Sequence, residues 1–263
     1  MSALDFLRVR LRQGTRTVPF PPADAALPER FRGRPQLDAS KCPDGCRACV
    51  ERMPTEVLRL NEGGVPILDA GAALFSPDEA EACPAGALTW TSDYRLAASS
   101  REDLRDPAGS VHLARALDQA SRRLFWRALR LRSVSAGSCN GCESEMVALG
   151  NVVFDLARFG VQFVASPRHA DGIVVTGAVN ANMLAAVRDT WEAVPEPRLL
   201  IAVGACAING GPFRGSPEVA GLPGDMRVDL WVPGCPPHPL TILDGLLRLL
   251  GKLEDSQTSF RSS

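Results

Sequence analysis

The sequence is poor in the features that mark nucleic-acid-binding and membrane-spanning proteins. Aromatic residues make up only 6% of the 263 residues, which leaves little for a surface that stacks bases. The formal net charge is −1, so no nucleic-acid partner is indicated for the chain as a whole. No apolar run reaches the ~20 residues that a membrane span needs, and we expect no direct transmembrane segment.

The first residues also lack the marks of an export signal. Residues 1–10 contain neither an apolar signal-peptide core nor a twin-arginine pair, and we therefore expect a cytoplasmic chain. Thiols stay reduced in that compartment. The eight cysteines are consequently better candidates for metal ligands than for disulfides.

Strand-like and helical runs alternate from residue 129 onward, and no GxGxxG or GxxxxGK[ST] loop occurs among them. The predicted strands are Leu129–Ser135, Val161–Ala165, Gly172–Thr176, Leu199–Val203 and Val228–Val232. The predicted helices are Cys142–Phe159, Asn180–Ala193 and Leu240–Leu250. This alternation is typical of an α/β domain with a parallel sheet and helices on both faces.

The cysteines divide into two sets of four, one in each half of the chain. The first set is Cys42, Cys46, Cys49 and Cys83. Three thiols within eight residues are costly to crowd together unless a multi-atom cofactor gathers them. A four-cysteine zinc site is the alternative, although zinc sites more often pair two CxxC motifs and Cys83 has no such partner.

The region around these cysteines, with Leu27–Pro35 ahead of it, resembles bacterial-type ferredoxins, especially the ferredoxin-like subunits of complex I and membrane-bound hydrogenases. In those relatives the fourth cysteine of each run binds the other cluster. The resemblance implies that one [4Fe–4S] cluster is kept here and one is lost. The positions expected to carry the lost ligands are Met53, Ala73, Ser76 and Glu79. The first gap departs from the family, because three residues (43–45, including Asp44) replace two.

The second set is Cys139, Cys142, Cys206 and Cys235. Each part of it follows a predicted parallel strand, so the four thiols should meet at the carboxyl edge of the sheet. Backbone N–H groups and a helix dipole there are expected to lower the thiol pKa values. Four convergent thiolates suit a [4Fe–4S] cluster. A thioredoxin-like pair, a structural zinc site and unrelated buried thiols are the alternatives.

Residues 133–250 resemble the small subunit of [NiFe] hydrogenases and its counterpart, the 20 kDa subunit of complex I. The motifs are Gly137-Ser-Cys-Asn-Gly-Cys-Glu143, Ala170-Asp-Gly-Ile-Val-Val-Thr-Gly177, Val203-Gly-Ala-Cys-Ala207 and Val232-Pro-Gly-Cys-Pro-Pro237. The Cys139-x-x-Cys142 spacing is similar to the membrane-bound, energy-converting (formate hydrogenlyase-like) hydrogenases, whereas complex I has adjacent cysteines. The resemblance implies a flavodoxin-like domain and two [4Fe–4S] clusters in all.

The same resemblance implies partners, since the chain has no nickel ligand set and no catalytic triad of its own. We expect a hydrogenase-like large catalytic subunit, with further redox and membrane subunits; a complex I-like quinone-reducing complex and a redox-silent zinc scaffold are the alternatives. Glu145 is a candidate proton relay, or simply a helix-surface residue. His238 could tune the cluster potential or only pack at a partner interface.

The expected organisation has five parts. An extended arm (1–37), with a short strand over Leu7–Leu11, precedes a small α+β ferredoxin-like domain (38–95). A helical linker (96–128) carries one amphipathic helix from Leu113 to Leu124 and an arginine-rich end. The flavodoxin-like domain (129–252) and a polar tail (253–263) follow. We expect the protein to sit peripherally on the cytoplasmic face of the inner membrane through partner subunits.

Overall fold

The computed structural model describes residues 3–22, 25, 27–43, 46–53, 55–106 and 111–253. Within these ranges, the side chain of Cys49 is not described. Asp44, in the widened first gap of the first cysteine set, and the predicted polar tail from residue 254 onward also lie outside the described residues.

Short elements form the first half of the chain. In order they are α1 (Ala3–Gln13), β1 (Pro35–Leu37), α2 (Ala48–Arg52), β2 (Leu58–Leu60), β3 (Pro66–Asp69), α3 (Pro77–Glu81), β4 (Leu88–Trp90) and β5 (Arg105–Asp106). Strand β1 pairs antiparallel with β4, and β3 lies between β2 and β5 in a second antiparallel sheet. Leu58, Leu68 and Ala73 are buried in the core between these elements. The sequence predicts a small α+β unit here, but β5 lies beyond its predicted end at residue 95, in the stretch expected to be a helical linker.

A larger parallel sheet forms the second half. Its elements are α4 (Gln119–Phe125), β6 (Leu129–Ser135), α5 (Gly141–Ala148), β7 (Val161–Phe163), β8 (Gly172–Thr176), α6 (Ala181–Glu192), β9 (Leu199–Val203), α7 (Ala205–Asn209), β10 (Leu230–Val232) and α8 (Pro239–Leu249). The strand order is β10-β9-β8-β6-β7, and every pairing is parallel. All five predicted strands are confirmed, two of them shorter than expected.

Both faces of this sheet are covered, because side chains along β9 alternate between two cores. Ile201 packs in one core with Leu243 and Leu246 of α8. Leu200 packs in the other core with Val187 of α6. The strands are therefore continuous apolar runs buried on each side, as parallel strands usually are. The predicted flavodoxin-like α/β fold is confirmed.

The two halves are joined by backbone and side-chain hydrogen bonds. Ala98 pairs antiparallel with Trp231 of β10, with two N–H···O bonds of 2.9 Å. The Asn209 side chain of α7 donates to the Thr55 carbonyl at 3.0 Å. The loops of the first half therefore lie against the sheet edge where the second cysteine set is expected.

The strand predicted over Leu7–Leu11 is wrong, because those residues belong to helix α1. Leu4, Leu7 and Leu11 also fit a helical spacing, and leucine and arginine favour helices more than valine does. The alternating pattern was thus ambiguous over so few residues. Beyond α1, the arm lies on the larger sheet unit, where the Val18 amide donates to the Val153 carbonyl at 2.9 Å.

Two helices are shorter than predicted. The helix expected from Leu113 covers only α4, since the amides of Ala114 and Leu117 donate to Ala97 and Leu249 and hold this stretch extended. The helix expected over Cys142–Phe159 ends with α5, and a single 3₁₀ turn follows at Leu156–Phe159.

Candidate metal centres

The second cysteine set lies at the carboxyl edge of the parallel sheet, as predicted. Cys139 and Cys142 lie on the turn after β6 and in the first turn of α5. Cys206 is in α7 directly after β9, and Cys235 is in the loop between β10 and α8. The amide of Ala205 donates to the Gly234 carbonyl at 2.8 Å, which ties the last two loops together.

The four thiols form one group. Each of them interacts electrostatically with each of the other three. Cys139 and Cys235 are exposed, whereas Cys142 and Cys206 are half-buried. The group therefore opens to the protein surface on one side, where a partner could approach.

The expected lowering of the thiol pKa values is wrong. Burial raises the pKa of Cys142 to about 12 and that of Cys206 to about 11, and it also raises the pKa of Cys235. Neighbouring thiolates add to this effect, because like charges disfavour ionisation. Crowded, desolvated thiols of this kind are stable as thiolates when metal cations compensate their charge.

Two glycines leave room at the thiols. A Cβ atom on Gly204 would lie 2.5 Å from Cys142 Sγ, and one on Gly211 would lie 2.7 Å from Cys206 Sγ. Both residues have positive φ angles, +91° and +55°, which glycine adopts without strain. The site thus has a cradle in which any side chain would crowd the sulfur atoms.

Sequence reasoning missed Glu143, which fixes the Cys139–Cys142 turn. Its carboxylate accepts hydrogen bonds from Ser138 Oγ at 2.5 Å and from Thr176 Oγ1 at 2.6 Å. Burial alone would raise the pKa of Glu143, yet these hydroxyl groups hold it below its ordinary value. The signal was a carboxylate directly after a cysteine, but its partner at the end of β8 is 33 residues away.

Glu145, His238 and Cys235 line one cavity of about 230 Å³. Burial raises the pKa of Glu145 and lowers that of His238. His238 Nδ1 accepts a hydrogen bond from the Leu240 amide at 3.2 Å, and its ring packs against Phe31 with centroids 5.5 Å apart. The histidine is therefore held neutral and oriented at the N-terminus of α8.

The same cavity is lined by Arg30 and Arg32, which sequence reasoning did not single out. They belong to the segment that resembles the ferredoxin-like relatives. Arg32 donates to the Phe75 carbonyl at 3.3 Å, so the first half of the chain contributes cationic groups beside Cys235. Only the contact between the two halves brings these groups to the second cysteine set.

The first cysteine set lies around a second cavity of about 230 Å³, lined by Cys42, Cys46 and Cys83. Burial raises the pKa of Cys42, and the nearby thiols of Cys83 and Cys46 add to the shift. The Ala87 amide donates to Cys83 Sγ at 3.3 Å. Cys49 lies in α2, but its side chain is outside the described residues, so its predicted role stays a prediction.

At the four positions where the sequence predicts that cluster ligands have been lost, other side chains have structural roles. Met53 and Ala73 are buried in the apolar core of the first half. Ser76 caps α3, and the buried carboxylate of Glu79 accepts from the Leu74 and Ser76 amides at 2.7 and 3.1 Å. These four side chains are engaged in packing and capping.

Among the described residues, no group of three or more His, Cys, Asp or Glu side chains is close enough to hold a single metal ion. All four thiols of the second cysteine set lie in the described residues and interact with one another. With the glycine cradle beside two of the sulfur atoms, the four thiols fit a [4Fe–4S] cluster, which takes four cysteine ligands.

The fold and the site together are an open α/β sheet with four thiols at its carboxyl edge, and comparison with known proteins identifies the class to which they belong. The family model described as NADH ubiquinone oxidoreductase, 20 kDa subunit, matches residues 139–249, which include the whole second cysteine set.

Three curated relatives illustrate the range of this family. An NADH-quinone oxidoreductase subunit of Citrifermentans bemidjiense is 44% identical over 122 residues, which cover 46% of this chain and 72% of the relative. The probable membrane-bound hydrogenase subunit mbhJ of Pyrococcus furiosus is 46% identical over 121 residues, with the same coverage. Formate hydrogenlyase subunit 7 of Escherichia coli is 43% identical over 122 residues, covering 46% of this chain and 48% of the relative.

The chain belongs to the family of the complex I 20 kDa subunit and the [NiFe]-hydrogenase small subunit, as the sequence resemblance predicts. It is an electron-transfer subunit of an oxidoreductase complex of the hydrogenase or complex I kind.

Proposed function

We propose that this chain carries electrons between the active site of a hydrogenase-like large subunit and a second redox partner, through two [4Fe–4S] clusters. The observation that carries the proposal is the convergence of Cys139, Cys142, Cys206 and Cys235 at one sheet edge, with all pairs of thiols interacting. When bound, such a cluster accepts and donates one electron at a time.

The chain's own residues have defined tasks in this proposal. The four cysteines of the second set hold the cluster as thiolates, and Gly204 and Gly211 leave space for it next to two of the sulfurs. Glu143 fixes the turn that carries Cys139 and Cys142. Because Cys139 and Cys235 are the exposed members, the large subunit would dock over that side.

The first set would hold the other cluster through Cys42, Cys46, Cys49 and Cys83. The cavity that the described members share supports this assignment. The core and capping roles of Met53, Ala73, Ser76 and Glu79 support a single cluster in this half, since no thiol remains at those positions. Fusion in one chain then fixes the separation of the two carriers.

The hydrogenase assignment rests on the Cys139-x-x-Cys142 spacing. Two residues between these cysteines allow Cys139 to stay on the turn while Cys142 enters α5, with Asn140 in the left-handed conformation between them. The membrane-bound hydrogenase relative, at 46% identity, is in keeping with this assignment. The protein would then sit on the cytoplasmic face of the membrane through its partner subunits.

A complex I-like quinone-reducing module is the second candidate, and the cavity beside Cys235 favours it. Glu145, His238, Arg30 and Arg32 give that cavity both acidic and basic groups. Glu145, whose pKa is raised by burial, could hold or release a proton there at a carboxyl oxygen. An electron acceptor that takes up protons on reduction would need such a group.

The deciding experiment is metal analysis of the native complex, purified anaerobically through a tag on this chain. About eight iron atoms per chain are expected, four for each cluster. Nickel in the co-purifying large subunit would establish the hydrogenase function. Iron without nickel would favour the quinone-reducing complex, and zinc in place of iron would overturn the electron-transfer proposal.

A further inference from the structure

Helix α1 belongs to none of the cores formed by the described residues, although more than half of its own residues are apolar. None of its residues is buried. The exposed fractions of the large apolar side chains are 68% for Leu4, 62% for Phe6, 54% for Leu7, 45% for Val9 and 82% for Leu11. Isolated helices of this length are marginal in water, so a helix with this exposed surface is expected to form against something outside the chain.

Three leucines form one stripe along α1. Leu4, Leu7 and Leu11 fall within about 60° of one another around the helix axis, at about 100° per residue, whereas Phe6 and Val9 lie at least about 100° away from them. Arg8 follows on one side of the leucine stripe and Arg10 on the other. A leucine stripe with flanking arginines is typical of helices that lie in the plane of a membrane interface.

The helix is tied to the sheet domain immediately after it ends. Val18 N donates to the Val153 carbonyl at 2.9 Å, and Arg158 Nη2 donates to the Val18 carbonyl at 2.5 Å. The Phe20 ring packs against Phe159 with centroids 6.0 Å apart. The position of α1 is therefore fixed to within the reach of the short segment from Gly14 to Thr17.

This attachment places the end of α1 beside an exposed valine of the sheet domain. Val152, which is 69% exposed, lines a groove together with Arg10 and the segment 13–17. The groove also includes Arg16, so the surface next to α1 carries both apolar and basic groups.

We propose that α1 binds directly to an anionic bilayer surface, with Leu4, Leu7 and Leu11 in the acyl boundary and the arginines on lipid phosphates. Residues 3–17 contain four arginines and one acidic residue, Asp5, which is complementary in charge to such a surface. A protein groove would have to desolvate arginines on both sides of the stripe. A headgroup layer accommodates the apolar stripe and the arginines together. The proposal is independent of the cofactors proposed above.

The test is vesicle flotation of the purified full-length chain. Vesicles of phosphatidylcholine alone are compared with vesicles containing about one-third phosphatidylglycerol. The chain should float with the anionic vesicles, and binding should weaken as sodium chloride rises from about 0.1 M to about 0.5 M, because the Debye length shortens.

Variants separate the apolar contribution to membrane binding from the electrostatic one. Leu7→Glu combined with Leu11→Glu should lower partitioning roughly 100-fold on anionic vesicles, because two leucines leave the acyl boundary. Arg8→Ala combined with Arg12→Ala should lower it about 25-fold, or about fivefold for each arginine. None of these side chains is buried, so the fold and the metal content should be unaffected. Leu124→Glu is the matched control, because Leu124 is a 56% exposed leucine beside arginines in α4, and its binding should equal that of the wild type.

Three results would overturn the proposal. The first is a wild-type chain that floats with neither kind of vesicle, and the second is equal flotation of the wild type and the α1 variants. The third is that Leu124→Glu no longer floats while the α1 variants still float as the wild type does. If the wild type fails to float while Leu7→Glu with Leu11→Glu detaches the chain from its partners, α1 binds a protein groove.

Discussion

The two cysteine sets are positioned by different kinds of structure. The second set lies at the ends of three strands of one parallel sheet, so the buried strands fix the positions of its loops. The first set lies on short segments between small antiparallel strands, around a small core that includes Cys83. Thiols on the sheet edge are thus located by long-range packing, whereas those of the first set depend on local loops.

The difference has a consequence for robustness. A site built on sheet strands should keep its shape when a surface loop changes, while a site built on loops should be sensitive to local capping. The predictions that follow test this contrast, starting with the loss of a whole cluster.

Serine replacement of one cysteine in either set should remove one cluster and leave the other. Cys206→Ser should abolish transfer to the large subunit and halve the iron content, because serine is a poor substitute for a thiolate ligand. Cys83→Ser should also halve the iron content. Iron analysis and electron paramagnetic resonance spectroscopy should reveal a different signal remaining in each variant. Complete iron loss from a folded single variant would contradict two independent sites.

Gly204→Ala should damage the second site far more than the backbone strain alone would. Gly204 has a φ of +91° and a ψ of 154°, a combination that essentially only glycine adopts and that costs another residue about 1–3 kcal/mol, and the new Cβ would also lie 2.5 Å from Cys142 Sγ. Gly215→Ala is the matched control, since Gly215 has a φ of +81° and no heavy atom within 4 Å of the added Cβ. Both variants should lose unfolding free energy from strain at a positive φ, but only Gly204→Ala should lose iron on reconstitution. Equal iron content in the two variants would exclude a role for the cradle.

Glu79→Leu should destabilise the first half locally. The Leu74 and Ser76 amides would lose their acceptor, which costs about 1–3 kcal/mol for each buried donor that stays unpaired. Hydrogen exchange of these amides measures the effect. Glu81→Leu, on the exposed side of the same helix α3, should change stability by less than about 0.5 kcal/mol. If the two variants behaved alike, the local capping would not matter to the loop scaffold.

The smallest expected effect is a pH dependence at the second site. Burial holds the pKa of His238 below 6.5, so the unfolded chain takes up the proton first as the pH falls. Above the pKa that His238 has in the unfolded chain, this residue contributes no pH dependence to folding stability. Below that pKa it lowers stability as the pH falls, by less than ~1.4 kcal/mol per pH unit, which is the limit for one proton.

Denaturant titrations between about pH 8 and pH 5 check this sign. His238→Gln should flatten the acid side of the stability profile, because glutamine does not titrate. His169→Gln, in an exposed turn, is the matched control for replacing a histidine by glutamine. A steeper acid slope in His238→Gln would contradict the depressed pKa.

The parts of the fold that rest on local pattern were predictable. The five-residue apolar runs at Gly172–Thr176 and Leu199–Val203 became strands with those bounds, and the cysteine that follows the second run lies where a parallel sheet must place it. The parts that depend on distant partners were not. The stretch before α4 is extended because Ala97 and Leu249, far away in sequence, accept its amide hydrogens.

The candidate sites divide in the same way. Cysteine spacing and resemblance predicted the second set, and the structure brings those four thiols together. Arg32 and Glu143 were missed because each matters through a contact that the sequence does not encode locally, with the Phe75 carbonyl and with Thr176. The pKa direction of Cys142 was wrong because burial outweighs the helix terminus.

The bridge between Ala98 and Trp231 has a consequence for solubility. Strand β10 is the last strand of the large sheet, and an uncovered edge strand is a template for pairing with another copy. The segment around Ala98 occupies part of that edge with two hydrogen bonds. A chain cut down to the second half would expose these groups, and we expect it to self-associate through β10. In this protein the small unit therefore covers part of an edge strand that would otherwise favour aggregation of the larger unit.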